Sequence, residues 1–87
     1  MYTVEYKQAA IKSLKKMDKN IIRLLISWIE KNLTETQTPR KHGKALAASL
    51  AGSWRYLIGD YRILANIDDK TKKILILDID HRSRIYR

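Results

Sequence analysis

Four arginines, Arg55, Arg62, Arg82 and Arg84, and two proton-carrying side chains, His81 and Tyr86, fall in the C-terminal part of this 87-residue chain. An arginine guanidinium is planar and forks onto a phosphate in bidentate geometry, whereas a lysine acts as a mobile point charge. The chemistry these residues could do is therefore phosphate binding coupled to proton transfer. His81 titrates near neutral pH if unperturbed. Tyr86 could transfer a proton or stack on a base, and its reference pKa of about 10 means that a basic role requires cations beside it. Arg82 and Arg84 could supply them. The alternative for each is plain: a tail histidine that is a bystander, a tyrosine that packs, arginines that solvate a surface. His42 has no catalytic partner in its neighbourhood. Other chemistries are missing. Gly43, Gly52 and Gly59 are scattered and form no phosphate loop. There is no metal-ligand spacing and no cysteine. Asp68, Asp69, Asp78 and Asp80 form no clear acid/base pair; for Asp78 and Asp80, same-face neighbours on a strand, the expected role is a salt bridge to Arg62 or Arg82.

The elements that must position these residues follow from hydrophobic period. Tyr2, Val4 and Tyr6 alternate with polar residues as a short strand. Ala10, Ile11, Leu14 and Met17 keep helical spacing, with Lys12, Lys15 and Lys16 turned outward. Asp18 is an N-cap for a second helix with the stripe Ile21, Ile22, Leu25, Trp28, Ile29 and Leu33, ending near Asn32. Lys44 to Leu50 reads as one or two helical turns or as loop. After Gly52 the period becomes two. Trp54, Tyr56 and Ile58 point one way, Arg55 and Leu57 the other, and Gly59-Asp60 is a primed two-residue hairpin turn. That loop sets Leu57 opposite Arg62, Tyr56 opposite Ile63 and Arg55 opposite Leu64. Arg55 and Arg62 then share a face diagonally, roughly 7–8 Å apart. A polyanion and a merely solvated sheet face are both compatible with that pair. Lys73 to Ile79 is a third, central strand, apolar on both sides. The order β-α-α-β-β-β predicts an α+β fold: an antiparallel sheet with a helical hairpin packed on one face.

Composition narrows the partner. The chain holds 18 Lys+Arg against 9 Asp+Glu, a net charge of +9. That points to a polyanion: nucleic acid, an anionic membrane or an acidic protein. Hydrophobic residues at 45% are too many for a disordered tail. The length suits one domain, residues 1–87, whose core buries only about 60% of the unfolded surface. The apolar runs are too short for a spanning helix or a signal peptide, so a cytoplasmic location without membrane contact is expected.

Four stretches resemble the RelE/ParE superfamily of bacterial toxins, the RelE branch most closely. They are Pro39-Arg40-Lys41-His42-Gly43-Lys44-Ala45-Leu46, Gly52-Ser53-Trp54-Arg55-Tyr56, Ile58-Gly59-Asp60-Tyr61-Arg62-Ile63 and His81-Arg82-Ser83-Arg84-Ile85-Tyr86. The similarity spans essentially the whole chain. It implies a RelE-like fold and the toxin of a type II toxin–antitoxin pair, held inactive by a RelB-like antitoxin. Its RelE-like members cleave mRNA in the ribosomal A site. The substrate's own 2′-hydroxyl attacks the adjacent phosphate, so neither a metal nor any other cofactor is needed. Carried over by position, Arg55 and Arg62 match basic residues of the family's RNA-binding sheet. Arg82 matches its tail phosphate-binding arginine, and Tyr86 its C-terminal tyrosine. His81 lies where some relatives carry a functional histidine and others a lysine. The resemblance thus implies catalytic roles for Arg62, Arg82, Tyr86 and His81, and RNA contacts for Arg55, Arg62, Lys44 and Arg84. Two positions depart from the pattern. Leu57 stands where a further basic residue is expected, and Asp80 where glycine is usual, which thins the positive charge and implies weakened activity. The alternative is a ParE-type toxin that poisons DNA gyrase without RNA chemistry; a plain basic nucleic-acid-binding domain is a third reading.

Overall fold

The computed structural model describes residues 1–46, 53–81 and 83. Its elements are β1 (Thr3–Tyr6), α1 (Gln8–Lys15), α2 (Lys19–Asn32), β2 (Lys44–Ala45), β3 (Ser53–Ile58), β4 (Tyr61–Asp68) and β5 (Lys73–His81). Asp18 caps α2 as its sequence position predicts, its Oδ1 accepting the Asn20 N–H at 2.8 Å. Leu25, Ile29 and Leu33, one helical face apart, are fully buried. They meet Tyr56, Ile63, Ile74, Ile76 and Ile79, the inward residues of β3, β4 and β5.

The sheet runs β1-β5-β4-β3-β2. The expected antiparallel pairing holds from β3 to β5, and β5, the strand expected to be central, is interior, between β1 and β4, with β4 in the middle of the five. One feature differs: β1 joins the sheet edge parallel to β5, Thr3 facing Lys73 and Tyr6 facing Ile76. A parallel neighbour needs a long crossover, and the chain from α1 to β4 supplies it. A second difference lies at Lys44–Ala45, which form an edge strand against Arg55 and Trp54 rather than a helical turn; residues 47–50 of that stretch lie outside the described residues.

The β3–β4 hairpin has the expected register, with Ile58↔Tyr61, Leu57↔Arg62, Tyr56↔Ile63 and Arg55↔Leu64. Gly59 takes φ 58° at the first turn position, as a primed turn requires. Between β4 and β5 the register shifts: Ala65 pairs with Ile76, but Leu64 pairs with Asp78. Leu77 is the extra residue of a β-bulge. The bulge changes parity. Ile74 and Ile76 are buried, and strict alternation would send Asp78 and Asp80 into the core after them. Instead Ile79 is the next buried residue, and Asp80 turns to the other face.

A strap delivers β2 to its place. The Tyr56 hydroxyl donates to the Pro39 carbonyl at 2.6 Å, and the Trp54 indole N–H to the His42 carbonyl at 2.6 Å. Arg40 forks onto Asp69, both bonds 3.0 Å. Asp69 also accepts the Tyr2 hydroxyl at 2.5 Å. Gly43 sits at φ 80°, and a Cβ there would collide with the Arg55 carbonyl oxygen and come within 2.8 Å of Trp54 Nε1. Glycine is the residue that permits both the dihedral and the approach. Gly43→Ala is therefore expected to lower the melting temperature by several degrees and to speed amide exchange at Lys44 and Ala45 selectively. Unchanged exchange there would contradict the strap.

The strap also sets a pH dependence. Arg40, and then Tyr2, hold the Asp69 carboxyl below its ordinary 3.8. A depressed carboxylate contributes stability above its unfolded pKa and loses it as pH falls through the folded value. Burial pushes the Tyr56 phenol up to about 12. That stability is present below about pH 10 and is lost as pH rises toward 12. Urea unfolding from pH 7 to pH 2.5 should show a shallower acid limb for Asp69→Asn than for the parent chain, with the share of Asp68 remaining. Superimposable limbs would show that the Asp69 bonds contribute nothing.

Candidate nucleic-acid interface

With one face of the sheet committed to the helices, alternation presents the other as two rows of side chains. One row runs Lys44, Arg55, Leu64, Asp78 across β2 to β5. The next runs Leu57, Arg62, Asp80 across β3 to β5. Adjacent strands are about 4.8 Å apart, so Lys44, Arg55 and Arg62 form one compact cationic group. Their core-facing neighbours Tyr56 and Ile63 are fully buried, which holds the strands carrying the arginines rigid. Lys44 is exposed, and Arg55 and Arg62 are half-buried. Leu57, beside Arg62, is 46% exposed, an apolar gap within the positive patch.

The carboxylates have separate roles. Asp78 accepts the Ser13 hydroxyl at 2.9 Å, tying α1 to β5, and also the Ile79 N–H at 2.8 Å; it does not bridge to Arg62. Asp80 stands directly opposite Arg62 in the register. Opposite charges at such a position attract, and anything anionic that reaches Arg62 meets that carboxylate as well. The bulge that produces this juxtaposition leaves only a parity break in the sequence, from Ile74 and Ile76 to Asp78 and Asp80.

His81 lies on the other side of β5 from Asp80. Its ring packs edge-on against Tyr61, centroids 5.5 Å apart. The Ser83 N–H donates to His81 Nδ1, so the proton of the neutral ring is on Nε2. Ser83 Oγ is 3.0 Å from the same nitrogen. Between this ring and the α1–α2 turn is a cleft of about 350 Å³ lined by Lys16, Met17, Asp18, Tyr61, Asp80, His81 and Ser83. The structure thus gathers Lys44, Arg55 and Arg62 and sets His81 at the end of the same sheet on its helical side. Arg82, Arg84 and Tyr86 lie outside the described residues. His42 is a packing residue, its ring 5.6 Å from that of Trp28. Among the described residues, no three or more histidine or carboxylate side chains could hold a metal ion, and no helix is long and apolar enough to cross a membrane.

Known proteins share this fold. The family model of the ParE toxin of type II toxin–antitoxin systems matches residues 4–86. Toxin RelG of Mycobacterium tuberculosis is 35% identical over 86 residues, 99% of this chain and 97% of that protein. A chain of the toxin–antitoxin complex RelBE2 from M. tuberculosis superposes with TM-score 0.82 at 33% identity, covering 93% of this chain and 98% of that one. The archaeal RelE–RelB complex from Pyrococcus horikoshii gives TM-score 0.73 at 26% identity, with 95% and 97% covered. The isolated Escherichia coli RelE toxin, at 17% identity and TM-score 0.76, shares the fold over 99% of this chain and 92% of that one. A sequence match over nearly the full length and a common sheet order agree: the chain belongs to the ParE toxin family within the RelE/ParE superfamily, the toxins of type II toxin–antitoxin systems.

Proposed function

We propose that residues 1–87 act as one toxin domain that cleaves mRNA in the ribosomal A site. The observation that carries the reading is the cationic group Lys44, Arg55 and Arg62 on rigid strands, on the sheet face away from the helices. In the reaction the 2′-hydroxyl of one nucleotide loses its proton and attacks its own 3′-phosphate in line, and the 5′-oxygen of the next nucleotide leaves and takes up a proton from solvent. The products are a 2′,3′-cyclic phosphate and a 5′-hydroxyl. The attacking oxygen belongs to the substrate, so no protein nucleophile and no cofactor is required. Arg62 and Arg82 neutralise the charge that develops on the phosphorane, and Arg55, Lys44 and Arg84 hold flanking phosphates. With Nδ1 accepting from Ser83, the neutral His81 ring offers Nε2–H, which suits donation to a phosphate oxygen. Tyr86, which resembles the family's C-terminal tyrosine, is then the group that takes the 2′-hydroxyl proton. The ribosome contributes by orienting the RNA.

The same reading gives the chain a cognate RelB-like antitoxin and a cytoplasmic site of action. The RelBE2 and RelE–RelB complexes support the antitoxin. An acidic amphipathic segment that covers Leu57 and the arginines would silence the face. The exposed Leu57 and the carboxylate opposite Arg62 favour the second reading, a toxin that binds DNA gyrase without cutting RNA.

Single-turnover cleavage on programmed ribosomes, with toxin saturating, separates the two. Arg62→Ala should cost on the order of 10²–10³ in rate, the scale of losing one preorganised transition-state contact. Asp80→Asn should raise the rate about two- to fivefold, the scale of one partly exposed charge interaction. Tyr86→Phe, which keeps the ring and loses the hydroxyl, should slow the reaction clearly. No cleavage by the parent chain, or equal rates for parent and Arg62→Ala, would leave the gyrase-type reading ahead.

A further inference from the structure

Lys44 and Arg55 stand directly opposite each other in the β2–β3 register, so the cationic group sets two like charges side by side. Like charges directly opposed on paired strands are destabilising. The edge strand that brings Lys44 there is two residues long, and both of its residues are exposed. Just beyond it the Leu46 N–H reaches the Ser53 carbonyl at 3.3 Å, the long end of the hydrogen-bond range. Neither the length of the strand nor its charge accounts for its position. Another contact has to hold it.

The Trp54 side chain supplies that contact. Trp54 precedes Arg55 on β3 and points to the opposite face, where it packs half-buried against the core. Three strap residues converge on its indole. The Arg40 guanidinium lies 5.9 Å from the ring centre, within cation–π range. The His42 carbonyl accepts the indole N–H at 2.6 Å. Gly43 passes so close that a Cβ there would lie 2.8 Å from Nε1. Arg40 is itself tied by its fork onto Asp69, so the contact reaches back to the β4–β5 turn. The indole nitrogen only donates, and its acceptor is main chain two residues before Lys44. A movement of the strap that carried Lys44 away from Arg55 would leave that N–H without its acceptor, at a cost in free energy. We infer that Trp54 is a positioning residue: by clasping Arg40, His42 and Gly43 on the helical side, it holds Lys44 opposite Arg55 on the other side, where the two cations meet one RNA backbone together. Trp54 itself touches no RNA. A phosphate between the two cations removes their repulsion, and a Lys44 already in place loses less freedom on binding. The inference rests on the reading of the sheet face as an RNA surface and names what assembles it.

The test is a double-mutant cycle on Trp54 and Lys44, read as affinity for a short single-stranded RNA from about 50 to 200 mM salt. Lys44→Gln should weaken binding on the order of three- to tenfold near 0.1 M salt, and make the slope of log affinity against log salt shallower by about 0.7, the value for one phosphate contact on a single strand. Trp54→Phe keeps an aromatic ring and loses the N–H. It should produce the same two changes while Lys44 is present, and alter affinity by less than about twofold in the Lys44→Gln background. Combined with Arg62→Ala, which removes a separate contact, its effect should add. A loss of packing alone would weaken every background alike, so dependence on Lys44 separates positioning from stability. Melting curves set the measuring temperature below every unfolding transition. Arg40→Gln, a surface change that removes the cation over the indole, is the second variant, and its effect should likewise require Lys44. Unchanged affinity and slope for Trp54→Phe, or equal losses with and without Lys44, would overturn the clasp; if Trp54→Phe does not fold, Arg40→Gln decides by the same criterion. A parent chain that binds this RNA but cuts no message on programmed ribosomes would refute the nuclease reading and leave the clasp standing. A parent chain that does not bind it would overturn the clasp, and cleavage on programmed ribosomes then decides the nuclease reading separately.

Discussion

The register of the β3–β4 hairpin is the constraint on which the rest of the structure depends. A two-residue turn with positive φ at Gly59 sets Tyr56 opposite Ile63 and Leu57 opposite Arg62. The side-chain period of a strand is two, so a slip of one residue would send Arg55 and Arg62 under the helices and bring Leu57 and Leu64 with them. The slip is forbidden by what it would bury: two guanidiniums in place of Tyr56 and Ile63, both at 0% exposure in the native register. Hydrophobic burial on one face thus holds the strands that carry the positive charge in place on the other.

That logic explains how much could be read in advance. The hairpin, both helices and the Asp18 cap were legible because each is local: a turn dipeptide, a 3.6-residue stripe, a capping side chain two residues from its donor. The parallel docking of β1 on β5 was not, because it joins segments some seventy residues apart and the apolar pattern of Tyr2, Val4 and Tyr6 does not depend on the direction of its neighbour. The edge strand at Lys44–Ala45 is two residues long, too short for any period. It exists because the strap and Gly43 press it onto β3. Of the proposed site, Arg55, Arg62 and Lys44 are placed, while the roles of Arg82, Arg84 and Tyr86 stand on resemblance alone.

The bulge at Leu77 is the most instructive case. Lys73 to His81 looks apolar on both sides, which is what a buried strand shows. A strict count by two from Ile74 would put Asp78 and Asp80 in the core, and that conflict is the sequence trace of the extra residue. Its consequences are functional. It brings Asp80 beside Arg62, turns His81 toward Tyr61, and leaves Asp78 to hold Ser13 of α1. The proposed RNA-binding face is consequently a compromise. Cations on β2, β3 and β4 meet a carboxylate on β5, so this toxin would act with a weaker field than three unopposed cations would give.

The account stands or falls on whether this face drives attack by the RNA's own 2′-hydroxyl. The direct measurement is to programme ribosomes with an mRNA that carries a single 2′-deoxynucleotide at the cleaved position and to compare it with the all-ribose message. The account predicts cleavage of the ribose message to a 2′,3′-cyclic phosphate and a 5′-hydroxyl, and none at the deoxy position. Cleavage that survives the deoxy substitution, or an intact ribose message, would contradict it.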